Sequence, residues 1–160
     1  MSLWPINGVA YPVMPRRKPR TPAHLEASEY RQLAAFRHAL RRFLRFSEAA
    51  AEAMGLTAQH YQAMLVLCAN PEGRLTINEL AQQLLIRHNS AVGLVDRLNK
   101  EGLAVREPSP EDKRKVYLRL TVKGDRVLAR LAEVHREELR RIGPDIREQL
   151  QEIARTHGSD

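Results

Sequence analysis

The sequence predicts a mainly α-helical chain, six helices with a single small β-hairpin. Three observations predict it. Apolar residues recur every three or four positions over most of the chain. The period switches to alternation only between Leu103 and Leu120. Two short helical patterns between residues 76 and 98 are joined by a tight turn, as in a helix-turn-helix.

The elements follow in order. Thr21-Pro22 offers a capping hydroxyl and a first-turn proline. Leu25, Leu33, Phe36, Leu40, Phe43, Leu44 and Met54 then recur at helical spacing, so a first helix is expected over about 22–54, stopped by Gly55. Its other face carries Arg31, Arg37, Arg41, Arg42 and Arg45, either a solvated face or one near DNA or a partner subunit. Thr57 caps a second helix, whose buried stripe is read as Tyr61, Met64, Leu65 and Cys68, and Asn70-Pro71-Glu72-Gly73 ends it. Thr76-Ile77-Asn78-Glu79 has capping-box spacing, and Leu80, Ala81, Leu84 and Leu85 form the apolar face of a short third helix. After a turn at about 85–88, a fourth helix turns Ala91, Leu94, Val95 and Leu98 inward and stops at Gly102.

Two strands follow, one with Leu103 and Val105, the other with Val116, Leu118 and Leu120. Between them the charged, proline-bearing stretch 108–115 is too polar to pack inside and must project as a wing. Thr121 caps a fifth helix bearing Val127, Leu128, Leu131, Val134 and Leu139. Gly143-Pro144 is expected to break it, leaving a sixth helix over 144–156 with Ile146, Leu150 and Ile153 inward. The fold class is therefore a winged helix-turn-helix. The apolar faces of the first, fifth and sixth helices find too little surface within one subunit, which predicts a homodimer. The expected organisation is one structural domain, with dimerisation helices over 22–54 and 122–160 around a winged lobe over 55–121.

A chain of 160 residues, 43% apolar, can bury one sizeable core. The net charge of +7 favours an anionic partner, and Arg16, Arg17, Lys18 and Arg20 contribute four of those charges. They sit in a flexible, proline-rich tail over 1–21. A basic arm on DNA, disorder, and packing on a partner subunit all stay open for it. The basic cluster follows the apolar residues, unlike a signal peptide, no run has membrane-spanning length, and the single Cys68 admits no internal disulfide. A cytoplasmic protein is expected.

In order and spacing, Leu56-Thr57-x-x-x-Tyr61, Leu80-Ala81, Leu94-Val95-Asp96-Arg97-Leu98, Glu101-Gly102-Leu103, Ser109-Pro110-Glu111-Asp112-Lys113-Arg114 and Leu120-Thr121-x-x-Gly124 resemble the MarR family of bacterial regulators. The resemblance covers about Leu33 to Leu139. It implies an obligate dimer that binds pseudo-palindromic operators in duplex DNA, usually a repressor released by a small ligand or an oxidant.

In such a fold the second helix of the helix-turn-helix enters the major groove with its N-terminal residues at the base edges. Here these are Arg87, His88, Asn89 and Ser90. Arginine can donate twice to guanine and asparagine can pair both ways with adenine. His88 and Ser90 suit base or phosphate, and Asn89 or Ser90 can also cap the helix. Where many relatives have a threonine-arginine pair, this chain has Val92-Gly93, so base contacts carried over from relatives do not apply at Gly93. The resemblance places Arg114 in the minor groove with Asp112 steadying it, and a narrow minor groove attracts arginine. Asp112 can also cap the turn, and Lys113 and Lys115 suit phosphates. Arg97 either contacts DNA or is held in an intramolecular pair with Asp96 beside it.

The family's ligand sites lie where the dimerisation helices meet the DNA-binding lobe, which nominates Phe36, His38, Arg42, Phe46, His60 and Met64 for a phenolic or otherwise anionic effector. Cys68 continues an apolar stripe and is read as a small core residue, with a thiol redox sensor as the alternative. The six histidines, His24, His38, His60, His88, His135 and His157, lack metal-ligand spacing, and His135 is read as part of a solvated helix. No nucleophile–base constellation or phosphate-cradling glycine loop is present, so neither catalysis nor a cofactor is expected. A winged-helix protein-interaction module is the remaining alternative to a DNA-binding regulator.

Overall fold

The computed structural model of the protein describes residues 25–110, 112 and 115–156. The basic tail and the Thr21-Pro22 cap expected from the sequence lie outside them. The described residues fall into two compact units, one of residues 44–138 and one of residues 25–43 with 139–156.

Helix α1 spans Ala27–Glu52. It starts five residues later than Pro22 because the Glu29 carboxylate accepts the free N–H of Glu26 at 2.8 Å, closing the first turn there. At its end Leu56 N–H donates to the Ala51 carbonyl (3.0 Å) and Gly55 N–H to that of Glu52 (2.9 Å), with Gly55 at φ +73°. This is the Schellman closure that a left-handed residue permits.

Helix α2, Ala58–Ala69, opens on a reciprocal cap between Thr57 and His60. Its buried residues are His60, Tyr61, Ala63, Met64 and Leu67. Leu65 and Cys68, expected in the core, are exposed. Met64, Leu65, Val66, Leu67 and Cys68 are apolar in succession, so their pattern carries no phase, and packing chose Leu67.

Strand β1, Leu75–Thr76, leads into helix α3, Ile77–Leu84. The capping box forms as expected: Glu79 N–H donates to Thr76 Oγ1 (3.3 Å), and Thr76 N–H to the Glu79 carboxylate (2.7 Å). α3 ends in a second Schellman closure, Ile86 N–H to Ala81 O and Leu85 N–H to Gln82 O. The left-handed position is Leu85, at φ 55° and ψ 38°, rather than a glycine. Its Cβ makes that conformation cost on the order of 1 kcal/mol. Leu85 is 66% exposed, not on the apolar face of α3 as expected, because the left-handed turn swings it outward.

Helix α4, His88–Lys100, buries Ala91, Leu94, Val95 and Leu98 as predicted. A third Schellman closure ends it, with Gly102 at φ +69° and Leu103 N–H bonded to Leu98 O at 2.9 Å. Strands β2 (Ala104–Pro108) and β3 (Val116–Leu120) are the predicted hairpin, Ala104 opposite Leu120 and Arg106 opposite Leu118. β1 pairs with the far side of β3, so the sheet has three antiparallel strands in the order β1-β3-β2 rather than two. Two residues are too short for an alternation to register.

Helix α5 spans Val122–Thr156, with Gly143-Pro144 inside it. The described residues thus form five helices, not six. Proline removes one backbone hydrogen bond, a local cost of about 3 kcal/mol. The flanking segments are rich in helix formers, and Ile142, Ile146 and Ile153 stay half-buried in one continuing phase through the proline. The core of the unit 44–138 joins Met64 and Leu67 of α2, Leu80 of α3, Leu94 and Leu98 of α4, Leu118 of β3 and Leu131 of α5.

Candidate nucleic-acid interface

The apolar side of α4 is locked into the core, so its opposite side is fixed in direction. Arg87 is the N-cap residue and makes no side-chain cap bond. The helix begins at His88, so Asn89 and Ser90 lie in its first turn and are not the cap that the sequence also allowed. Arg87, His88, Asn89 and Ser90 are all exposed. No side chain caps the first-turn N–H groups, which carry partial positive charge toward solvent beside the Arg87 guanidinium. One turn on from Asn89 comes Gly93, and one turn further Arg97. Glycine in a helix interior costs about 1 kcal/mol relative to alanine.

Arg97 is exposed and has no ion pair among the described residues. Its neighbour Asp96 pairs instead with Arg106 of β2 at 2.7 Å, tying α4 to the sheet. Two further arginines of this surface are engaged. Arg119 bonds Glu107 across the hairpin (2.6 Å), and Arg74 bonds Glu72 (3.3 Å) while lying over the Tyr117 ring. The Arg119 guanidinium, by its hydrogen bond, holds the Glu107 carboxyl below the usual carboxylate range.

At the wing, Ser109 is buried and its hydroxyl accepts the Asp112 N–H at 3.3 Å. Ser109 N–H donates to Lys115 O and Lys115 N–H to Asp112 O, both at 2.9 Å. The Ser109 side chain caps the turn, while Asp112 supplies backbone groups to it. Lys115 is exposed. Lys113 and Arg114, the predicted phosphate and minor-groove residues, lie outside the described residues.

The base of the wing is closed by Thr121. Its hydroxyl donates to Gly102 O (2.7 Å) and accepts Gly124 N–H (3.0 Å), the cap of α5 that the sequence predicted. Gly124 sits directly against the Leu103 carbonyl, which a Cβ would overlap.

The nominated effector residues are divided between the two units. Met64 is wholly buried in the core, His60 is 3% exposed, and Phe46 is half-buried; Phe36, His38 and Arg42 belong to the other unit. Sequence reasoning missed His135, which is buried rather than solvated. It extends the Leu128–Leu131 stripe by one turn, and that spacing was the available signal. His135 Nδ1 bonds the Leu131 carbonyl (2.7 Å), so it carries the proton, and Nε2 accepts from the Ser47 hydroxyl (2.8 Å). The ring stacks on Tyr61 at 4.1 Å and meets Phe46 edge-on. A separate cavity of about 330 Å³ is lined by Met54, Leu56, Glu101, Leu103, Lys123 and Val127, none of them nominated.

His60 Nδ1 accepts the Thr57 N–H at 3.2 Å, so it must stay unprotonated for the cap to hold. Burial lowers its pKa below 6.5, reinforced by the Arg97 charge and opposed by Glu101. A depressed histidine pKa means that the unfolded chain takes up the proton first as pH falls. Stability contributed by neutral His60 is present above about pH 6.5 and is lost progressively below it. Thermal melts between pH 8 and pH 5 should show this decline, and His60→Gln, which keeps an acceptor for Thr57, should flatten it. An unchanged slope in the variant would clear His60 of the effect.

Among the described residues no helix is long and apolar enough to cross a membrane. No group of three or more His, Cys, Asp or Glu there could hold a metal ion.

Helices α2, α3 and α4 around a short sheet, with a hairpin beside an outward-facing helix start, define a winged helix-turn-helix protein. Residues 54–115 match the MarR family model. It is 36% identical over 78 residues to the HTH-type transcriptional regulator FarR of Neisseria gonorrhoeae, covering 49% of this chain and 52% of that one. The chain spans about half the length of the curated relatives it matches. Two solved structures extend the likeness, both of Streptomyces coelicolor. Sco3205, a MarR family regulator in complex with DNA, is 28% identical with a TM-score of 0.66 over 87% of this chain and 97% of its own. AbsC, also of the MarR family, shares the fold at 21% identity and a TM-score of 0.69, over 85% and 93%.

Proposed function

We propose that the chain is a homodimeric transcriptional regulator that reads a pseudo-palindromic operator through α4, without catalytic activity and working in the cytoplasm. The observation that carries this reading is the uncapped, exposed start of α4, with Arg87 and Asn89 on a helix whose other face is immobilised by the core. Its likeness to Sco3205, solved on DNA, supports the same use. Arg114 would enter the minor groove, with Lys113, Lys115 and Arg97 at phosphates. Tyr30, Leu33 and Leu40 on α1 and Leu139 and Leu150 on α5 are exposed apolar residues that a second copy would cover. Repression relieved by a small phenolic or anionic effector is the regulatory mode this reading adopts. The exposed Cys68 gives an oxidant route a specific foothold as the second reading.

The test selects duplexes from a random library with the full chain and measures its mass by sedimentation at micromolar concentration. Enrichment of an inverted repeat with half-sites about 10 base pairs apart, bound by a dimer, is the expected result. Release of that duplex by aromatic acids supports the ligand mode, and release by peroxide that Cys68→Ser abolishes supports the oxidant mode. A monomer, or no enriched sequence, overturns the regulator.

A further inference from the structure

Six glycines lie among the described residues, and five have a reason in the fold. Gly55, Gly73 and Gly102 adopt positive φ, and Gly124 is pressed against a backbone carbonyl. Gly143 adjoins Pro144 within α5, where a residue before proline is sterically restricted. Gly93 has none of these reasons. It lies in the middle of α4 with ordinary helical φ, and a Cβ built there meets nothing within 4 Å. Alanine would fit and would favour the helix. The fold therefore keeps a helix-weakening residue where it gains nothing by it.

Its position supplies the reason. Gly93 is on the side of α4 away from Ala91, Leu94, Val95 and Leu98, one turn after Asn89 and one turn before Arg97. Beside it Val92 is half-buried, so an apolar spot interrupts a face that is otherwise polar. We propose that Gly93 is a specificity-determining residue: its missing side chain lets α4 approach the base edges closely, and Val92-Gly93 forms the apolar spot that receives the C5-methyl of a thymine. This rests on the DNA-binding reading above. A Cβ stands about 1.5 Å off the backbone. Interposed between helix and base, it holds Arg87 and Asn89 away from the 2.7–3.2 Å window in which hydrogen bonds form. Apolar contact is how a side chain or bare backbone distinguishes thymine in the major groove.

The experiment uses the full chain and a duplex enriched from a random library by the wild type, with a shuffled duplex of equal length as reference. Gly93→Ala should melt higher, by roughly 2–4 °C. It should bind the enriched duplex about tenfold more weakly and the shuffled one as wild type does. Replacing thymine by deoxyuridine at single positions should weaken wild-type binding about fivefold at one position per half-site and leave Gly93→Ala unaffected there. Wild-type affinity of Gly93→Ala for the enriched duplex overturns the proposal, as does an equal loss on both duplexes or indifference to every deoxyuridine. If the wild type enriches no duplex, the DNA-binding reading itself falls; if it does and Gly93→Ala matches it, only this inference falls.

Discussion

Gly124→Ala should cost about 3 kcal/mol or more, lowering Tm by roughly 10 °C. The added methyl would overlap the Leu103 carbonyl oxygen, a backbone atom that cannot rotate aside. That oxygen already accepts the Thr121 N–H at 3.0 Å, so moving it strains the link between the base of the wing and α5. The alternative, backing α5 away, breaks the bond from Gly124 N–H to Thr121 Oγ1 and loosens that from Thr121 to Gly102. Either route weakens a hydrogen bond at the join between the base of the wing and α5. Melting curves with circular dichroism check this directly. A variant within 2 °C of wild type would mean that the start of α5 shifts freely.

Arg87→Ala and Asn89→Ala should each weaken binding to the selected duplex by about 5- to 150-fold, the range for losing one bidentate base contact. Neither should move Tm by more than about 1–2 °C, since exposed side chains that make neither a cap bond nor a core contact contribute little to stability. Arg87 has no side-chain cap bond to lose, and both residues are exposed. Specificity gives the sharper readout. Losing a base contact relaxes preference at one position of the half-site, whereas losing a phosphate contact weakens all sequences alike. Fluorescence anisotropy on the selected duplex and on single-base variants separates the two. Affinity unchanged in both variants would remove the start of α4 from the interface.

The winged core was legible where local chemistry and packing agree. Thr76 and Glu79 announce α3 because a capping box needs only two residues three apart. The inward residues of α4 are separated by polar ones, so their phase is unambiguous. In α2 seven apolar residues in a row, Ala63 to Ala69, erase the phase, and only the neighbouring elements decide that Leu67 is buried while Leu65 and Cys68 are not. Gly143-Pro144 marks a break by local rules, yet one lost hydrogen bond is outweighed by the formers on either side. The location of the candidate interface was legible from the helix start, but its cap was not, because Arg87 caps with backbone alone. His135 was misjudged from residue type. A histidine joins a core when both ring nitrogens find partners, and Leu131 and Ser47 are far apart in sequence.

The three arginine pairs at the sheet bear on how the molecule is felt from afar. Arg74, Arg106 and Arg119 each stand within 3.3 Å of a carboxylate. An opposite pair so close is a dipole, whose potential fades with distance faster than that of a lone charge and is screened within about 10 Å at moderate salt. Seen by an approaching polyanion, the sheet is therefore nearly dark, despite its arginines. Attraction at range comes from charges that have no such neighbour, and among the described residues Arg87 and Arg97 are two that form no ion pair. An approaching polyanion is drawn by such unpaired charges far more than by the salt-bridged arginines of the sheet.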